Sequence, residues 1–293
     1  MTSTSSSSAP PRQVGVIGLG PMGLPIAGHL VSAGHDVTLF NRTRSVAESV
    51  TGATVVGSPA DLAAEVVFSA LPDIDQFDAL VDDATLHRWR ASGTRTLVVL
   101  STTSPEKVRT LEARAARAGI DVADAPMSGG DAGARAGTLS LMVGASDETF
   151  ELLLPLLRGF ATTIEHFGPP GAGSAAKLCN QLVVAGTLAA LAESVDLGRR
   201  AGLSVEQLMT VFHGGLASSR VLDLKEDKLL HREYSLGGST VNQLKDLDYA
   251  VRLAEEVGAP LAHTRAAREL YRRAERSGYG QADHSAVQEV VGP

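Results

Sequence analysis

Short, continuous apolar runs alternate with amphipathic stretches through the first half of the chain. The first run, Gln13 to Leu19, precedes a glycine-rich turn and a helix that ends at Gly34. Similar runs recur at residues 36–41, 66–71, 96–101, 121–125, 138–143 and 163–167. Strands that are apolar throughout and alternate with helices are typical of a mostly parallel, doubly wound sheet. We therefore predict an α/β domain over residues 13–168.

Two of the intervening helices have well-marked starts. Ser58-Pro-Ala-Asp61 supplies a capping serine, a proline at the first helical position and an acid in the first turn. Ser104-Pro-Glu106 repeats this order. A side-chain cap, a fixed proline φ and a negative charge all favour a helix N-terminus. We predict that a helix begins at each serine.

The pattern changes after Phe167. A Gly/Pro-rich break over residues 168–173 leads into a stretch that is apolar nearly all round, from Ser174 to about Ala201. A helix of this kind is buried on most sides. Further helices are predicted at 204–213, 239–256 and 260–277, which makes residues 169–293 an all-helical domain. The serine-rich residues 1–12 are predicted to be a disordered tail.

Composition narrows the class of protein. The net charge is −7 and the sequence contains no block of lysine and arginine, so a nucleic-acid partner is not expected. The long apolar helix contains Lys177 and later acids, so it is interpreted as buried in protein and no membrane partner is expected. We find no signal peptide and expect a cytoplasmic protein. The one cysteine, Cys179, is interpreted as a packing residue, and no metal-ligand spacing is found.

The turn after the first strand has the spacing of a dinucleotide-binding loop. In Gly18-Leu-Gly-Pro-Met-Gly23 the first glycine permits a tight turn, the second lets backbone approach a pyrophosphate, and the third allows close packing of helix and strand. The free N–H groups of the following helix suit the anion. We predict contacts with the cofactor from Gly18, Leu19, Gly20, Pro21, Met22 and Gly23.

The end of the second strand indicates which dinucleotide is bound. NAD enzymes usually place an acid there for the ribose hydroxyls. This chain has Asn41-Arg42-Thr43, in which asparagine does not repel a 2′-phosphate and Arg42 and Thr43 could bind it. The prediction is a preference for NADP(H). The alternative is that Arg42 is only a solvent-facing residue stacked on the adenine, and that both NADP(H) and NAD(H) are used.

Lys177 is the most informative residue of the helical region, because it stands near the start of the long apolar helix. Helical spacing places Asn180 and Gln181 on the same face as Lys177. A lysine that burial partly desolvates can donate or accept a proton. The alternative is a lysine whose stem packs and whose head reaches solvent.

Four separated motifs make the chain resemble the β-hydroxyacid dehydrogenase family, the group of 3-hydroxyisobutyrate dehydrogenase and tartronate semialdehyde reductase. The motifs are Val16 to Gly23, Asp124-Ala-Pro-Met-Ser-Gly-Gly130, Gly173 to Gln181, and Lys245-Asp-Leu247. Their order and spacing fit over nearly the whole chain. Met127, where the family more often has valine or leucine, departs from the pattern and puts the shape of the substrate pocket in doubt.

The resemblance implies a role for each motif. Lys177 is the implied general acid or base. Substrate contacts are implied for Ser128, Gly129, Gly130, Asn180 and Gln181. Cofactor contacts beyond the glycine loop are implied for Leu71, Pro72, Thr102 and Lys245.

The expected activity is therefore NADP-dependent interconversion of a small β-hydroxy acid and its semialdehyde. The resemblance also implies a homodimer or homotetramer built through the helical domain. Two alternatives stay open. Imine reductases share this architecture but generally lack the lysine, and a non-catalytic NADP-binding protein would typically have lost it.

Overall fold

The computed structural model describes residues 12–235 and 237–292. The predicted tail therefore lies outside the described residues, except for Arg12. Within them the chain forms two compact units, and the division falls between Lys177 and Leu178. The sequence analysis ends the first domain earlier, at residue 168, so the first turn and a half of the long helix belongs to the α/β unit.

The first unit is built on one nine-stranded sheet. Its strands, in chain order, are β1 Gln13–Ile17, β2 Asp36–Phe40, β3 Thr54–Val55, β4 Val66–Ser69, β5 Thr96–Val99, β6 Asp121–Asp124, β7 Met127–Ser128, β8 Leu139–Gly144 and β9 Ala161–Gly168.

The strand order identifies the architecture. From one edge the order is β3-β2-β1-β4-β5-β6, and these six strands are parallel. This is the order of a dinucleotide-binding, doubly wound sheet. After it the sheet reverses, because β8 runs antiparallel to β6 and β7 and parallel to β9. The predicted mostly parallel, doubly wound sheet is confirmed, and its first six strands have the Rossmann order.

Both faces of this sheet are buried, which explains why its strands read as unbroken apolar runs. One core cluster contains Val16 and Phe68, and the cluster on the opposite face contains Ile17 and Val67. Neighbouring residues of one strand therefore enter different cores, as the two-residue period of a strand requires.

Helices cover the sheet and form nearly all of the second unit. They are α1 Gly23–Ser32, α2 Arg44–Glu48, α3 Ile74–Asp78, α4 Asp83–Ala91, α5 Pro105–Ala116, α6 Gly130–Ala136, α7 Asp147–Leu157, α8 Ala172–Arg200, α9 Val205–Gly214, α10 Arg220–His231, α11 Thr240–Val257 and α12 Ala262–Ala274.

The two predicted helix starts have different outcomes. Ser104 caps α5 by accepting a hydrogen bond from the Lys107 amide at 3.2 Å. Ser58 accepts from the Ala60 amide at 3.2 Å, but only a single turn of 3₁₀-helix, Pro59–Asp61, follows. The cap is present at both sites, and the stretch after Asp61 continues into the next strand too soon for an α-helix to form.

The core of the second unit surrounds the long helix. Leu188, Ala192 and Val195 of α8 pack with Leu247 of α11 and Tyr271 of α12. Helix α10, which the sequence analysis did not predict, buries Leu222 and Leu229 in the same core. The predicted all-helical domain is confirmed with this helix added.

One stripe of α8 is exposed. By length and composition the helix could cross a membrane, and 44% of its most apolar window is buried inside the structure. Cys179 is exposed, so its interpretation as a packing residue is wrong. Val183 and Leu197 are also exposed, by 66% and 69%. Helical spacing aligns these positions with Ala190 in a stripe that we call the α8 stripe (Cys179, Val183, Ala190 and Leu197).

Candidate functional site

The candidate cofactor site lies at the edge of the sheet where the parallel strands end. The glycine loop follows β1, and Asn41, Arg42 and Thr43 follow β2. The other predicted cofactor residues of this unit come after the next two strands: Leu71 and Pro72 after β4, and Thr102 after β5. The carboxyl ends of parallel strands meet at one edge, and ligands bind there where the strand order reverses, between β1 and β4.

Close contacts explain why the first and last positions of the loop, Gly18 and Gly23, are occupied by glycine. A Cβ at Gly23 would lie 2.0 Å from the Gly18 carbonyl oxygen, and a Cβ at Gly18 would lie 2.9 Å from the Leu71 side chain. Neither position can take a side chain without a shift of its neighbours. The first and third glycines therefore hold the turn, α1 and the β4 loop in close packing.

Gly20 has a different reason to be glycine. A Cβ there would meet nothing within 4 Å, and the residue is exposed. The fold thus leaves open the space that a side chain at Gly20 would fill, as a backbone approach to a pyrophosphate requires. Among the described residues, no side chain caps the N-terminus of α1, although the Leu24 amide donates to the Gly20 carbonyl at 3.0 Å. The positive end of the helix dipole therefore faces the loop without a side-chain acceptor and favours an anion there. These features fit a dinucleotide.

Asn41 ties the end of β2 to the glycine loop. Its Oδ1 accepts a hydrogen bond from the Leu19 amide at 3.0 Å, and its Nδ2 donates to the Thr43 carbonyl at 2.9 Å. Both ends of the amide are therefore engaged. Arg42 lies between the anchored positions and is exposed, where a charged phosphate could reach its guanidinium.

Side-chain hydrogen bonds also join the loops after β4 and β5. Ser101 Oγ donates to the Leu71 carbonyl at 2.6 Å, and Thr103 Oγ1 donates to Asp73 Oδ1 at 2.8 Å. Both bonds fix the loops that carry Pro72 and Thr102. The sequence analysis missed Ser101, Asp73 and Thr103, although hydroxyls directly after a parallel strand could have been recognised as loop-fixing groups.

Ser128 and the two glycines after it form the turn from β7 into α6. The φ angles of Gly129 and Gly130 are +126° and +62°, a region that side chains disfavour. Gly130 opens the helix and a Cβ there would meet nothing within 4 Å, so its backbone is accessible. Ser128 is half-buried beside this turn.

Lys177 lies in the second turn of α8 and is only 6% exposed. The low exposure of the residue as a whole disfavours the alternative in which its head extends into solvent. Asn180 and Gln181 follow on the same helix, at the start of the second unit.

The second unit places two predicted residues in a polar cluster. Gln181 Nε2 donates to Asp246 Oδ2 at 2.7 Å and contacts Gln243 Oε1 at 3.4 Å. Lys245 Nζ lies 3.4 Å from Asp246 Oδ1 and 5.6 Å from the ring centre of Tyr249. The Gln181 amide is thus held by α11, and Asn180 is half-buried with its Oδ1 shielded from solvent.

Metal ligation finds no support within the described residues, where no group of three or more His, Cys, Asp or Glu side chains could hold an ion.

Comparisons with known protein families support the doubly wound fold and the dinucleotide-binding glycine loop described above. The model of the NAD-binding domain of 6-phosphogluconate dehydrogenase matches residues 13–168. The model for NAD-binding of NADP-dependent 3-hydroxyisobutyrate dehydrogenase matches residues 171–291. Together they span the described chain from β1 to its C-terminal segment.

Individual relatives match over nearly their whole length. The NAD-dependent L-serine dehydrogenase of Pseudomonas aeruginosa is 34% identical, with 96% of this chain and 98% of that protein covered. The 2-hydroxy-3-oxopropionate reductase of Escherichia coli is 31% identical over 95% and 97%. The solved 3-hydroxyisobutyrate dehydrogenase of Salmonella typhimurium superposes with a TM-score of 0.86 at 25% identity, over 94% and 99%.

The chain therefore belongs to the 3-hydroxyisobutyrate dehydrogenase-like family and is an NAD(P)-dependent oxidoreductase. The family resemblance read from the four motifs is confirmed. Relatives named for NAD and for NADP both occur, so the family does not fix the preferred dinucleotide.

The loop geometry predicts that alanine substitution at two glycines of the same loop affects different properties, cofactor binding at one and stability at the other. Gly20→Ala should keep the wild-type melting temperature, because its Cβ meets no atom, but should weaken NADPH binding by about tenfold, or about 1.4 kcal/mol. Gly23→Ala should lower the melting temperature, because its Cβ would overlap the Gly18 carbonyl. Fluorescence titration with NADPH and thermal unfolding measure the two effects. Wild-type NADPH affinity in Gly20→Ala would contradict this assignment.

Proposed function

We propose that the chain is an NADP-dependent reductase or dehydrogenase that interconverts a small β-hydroxy acid and its semialdehyde, of the 3-hydroxyisobutyrate or 2-hydroxy-3-oxopropionate type. The observation that carries the proposal is the buried Lys177 in the second turn of α8. Names of relatives, which include a serine dehydrogenase and a 2-hydroxy-3-oxopropionate reductase, support small hydroxy carboxylates as the substrate class.

Each predicted group has a chemical task in this reaction. When bound, the nicotinamide exchanges a hydride with the carbonyl carbon. Lys177 supplies a proton to the carbonyl oxygen in reduction and removes it in oxidation. Ser128 and the backbone N–H groups of Gly129 and Gly130 hold the substrate carboxylate, and Asn180 and Gln181 hold its polar groups from α8. Lys245 contacts the cofactor or the substrate.

The residues at the end of β2 support the proposed preference for NADP(H). Asn41 places no charge near a 2′-phosphate, and its two hydrogen bonds hold Arg42 in an exposed turn. Guanidinium groups bind phosphates through paired hydrogen bonds. We also propose that the enzyme acts in the cytoplasm; its bacterial relatives include proteins named as a dehydrogenase and a reductase.

An imine reductase is the main competing enzyme. Imine reductases generally have another residue at the position of this lysine. The presence of a buried Lys177 therefore favours a carbonyl substrate, in which the transferred proton goes to oxygen. A non-catalytic dinucleotide-binding protein would have no use for a desolvated lysine head.

Removal of Lys177 should greatly slow turnover without loss of cofactor binding. We expect Lys177→Ala to lower kcat by about 10²–10⁴-fold, the contribution of a positioned proton donor, while the Kd for NADPH stays within about twofold. NADPH oxidation with a panel of semialdehydes, and NADP reduction with the hydroxy acids and L-serine, provide the measurement. Lys177→Arg serves as the control that keeps the charge but cannot give up a proton. Equal rates in wild type and Lys177→Ala would refute the role.

Arg42 should determine the cofactor preference. Arg42→Ala should raise the KM for NADPH by roughly tenfold or more, because a charged hydrogen bond contributes about 1.5–3 kcal/mol, and should leave the KM for NADH unchanged. Arg44 provides a matched control. It is an exposed arginine two residues away, engaged with Glu48 at 2.8 Å, and Arg44→Ala should affect neither cofactor. A wild-type preference for NADH would contradict the assignment to NADP(H).

Association through the helical unit should depend on the α8 stripe. We expect a homodimer or homotetramer, because exposed Val183 and Leu197 lie on one face of the long helix. Val183→Glu combined with Leu197→Lys should reduce the mass measured by light scattering at micromolar concentration to that of one chain. Val257→Lys, at another exposed apolar position, is the control that should leave the mass unchanged. A wild-type monomer would refute the expectation.

A further inference from the structure

Asp124 is a buried acid to which neither the motifs nor the proposed reaction assigns a task. It is the last residue of β6 and the first of the segment that leads to Ser128, and it is 0% exposed. A carboxylate is expensive to bury unless its oxygens are hydrogen-bonded. Its partners therefore show what it does.

Both partners are backbone amides at the start of α8. Asp124 Oδ1 accepts from the Gly171 amide at 2.7 Å, and Oδ2 accepts from the Ser174 amide at 2.5 Å. The first N–H groups of a helix have no partner within the helix, and the helix dipole favours a negative charge there. Asp124 thus caps α8 from another element, across 47 residues of sequence.

The backbone of neighbouring elements packs closely against this helix start. A Cβ at Gly173 would lie 2.2 Å from the Met142 carbonyl oxygen, and a Cβ at Gly144 would lie 2.3 Å from Asp124 Oδ1. The Ala145 amide donates to the Gly168 carbonyl at 2.8 Å, which fixes the connection into the helix as well. The first turn of α8 therefore lies in backbone contact with the ends of β6 and β8.

Lys177 follows Ser174 by three residues, almost one helical turn, and belongs to the same compact unit. We propose that Asp124 is the positioning residue for Lys177: its two hydrogen bonds to the Gly171 and Ser174 amides set the place of the first turns of α8, and so of the lysine head. This inference rests on the proposed function of Lys177. A displacement of a reacting group by about 1 Å can cost about 10²-fold in rate.

Stability alone does not account for this acid. Burial raises the pKa of Asp124, while the hydrogen bonds from the Gly171 and Ser174 amides oppose the rise. An acid whose pKa is raised on folding contributes less to stability once the pH exceeds its unfolded pKa. The ionised carboxylate is nevertheless the form that can accept both amides, one at each oxygen.

The test is Asp124→Asn, in which one amide would face an NH₂ group in place of an oxygen. We expect kcat, measured with the panel compound that the wild type turns over fastest, to fall by 10- to 100-fold. The Kd for NADPH should change by less than twofold. A matched control is Asp82→Asn, which makes the same acid-to-amide change at the residue that caps α4 on the Thr85 amide and should leave kcat unchanged.

A double mutant separates positioning from a general structural role. If Asp124 acts through Lys177, Asp124→Asn should have less than twofold effect on the residual kcat of Lys177→Ala. An equal loss in both backgrounds, or no loss in the wild-type background, would overturn the proposal. Failure of the proposed function is a separate result, in which Lys177→Ala itself leaves kcat unchanged.

A second pair of variants applies if Asp124→Asn does not fold. Ser174→Pro removes the amide N–H that Asp124 accepts, at a first-turn position where proline is tolerated, and Ser174→Ala retains it. We expect kcat to fall at least tenfold in Ser174→Pro relative to Ser174→Ala, and this difference should vanish in the Lys177→Ala background. Equal kcat in the two Ser174 variants would overturn the proposal.

Discussion

All the loops that form the candidate cofactor site depend on one constraint, the common direction of six neighbouring strands. Because β1 to β6 are parallel, their carboxyl ends share an edge, and residues far apart in sequence come together without any loop being long. The glycine loop, the Asn41 turn and the loops holding Leu71 and Thr102 are placed by this register. The reversal at β8 ends the parallel series and leads the chain through β9 into α8.

Hydrogen bonds between the loops then restrict the loop conformations that the sheet alone does not fix. Ser101 holds the Leu71 carbonyl, Thr103 holds Asp73, and Asn41 holds the Leu19 amide. Each of these bonds joins the loops that follow two adjacent strands. The loops after β1 and β2 are therefore fixed to each other, and so are the loops after β4 and β5. A site held in this way is arranged before the ligand arrives, which lowers the entropy lost on binding.

Much of this arrangement is visible in the sequence, because local patterns determine it. The apolar runs located every central strand, and the glycine spacing located the cofactor loop. The short helices α2 and α3 were not predicted, since five residues are too few to show a helical period. The exposure of Cys179 could not be predicted from the sequence either. Its helix is apolar nearly all round, so the burial of each residue depends on which neighbouring elements pack against it. The role of Asp124 lies in a contact across 47 residues, which no local pattern encodes.

At the end of β2, the proposed cofactor preference and the structure of the loop depend on the same residue, Asn41. An aspartate at position 41 could accept the Leu19 amide and present a charge to ribose hydroxyls, but it would also face the Thr43 carbonyl, to which Asn41 now donates. Two acceptors in contact repel, so the turn that carries Arg42 would have to change its conformation. The asparagine is therefore more than an uncharged substitute for an acid. It fixes the conformation in which the neighbouring arginine is exposed. Under the proposed NADP(H) preference, a change of dinucleotide would require a different turn as well as a different charge.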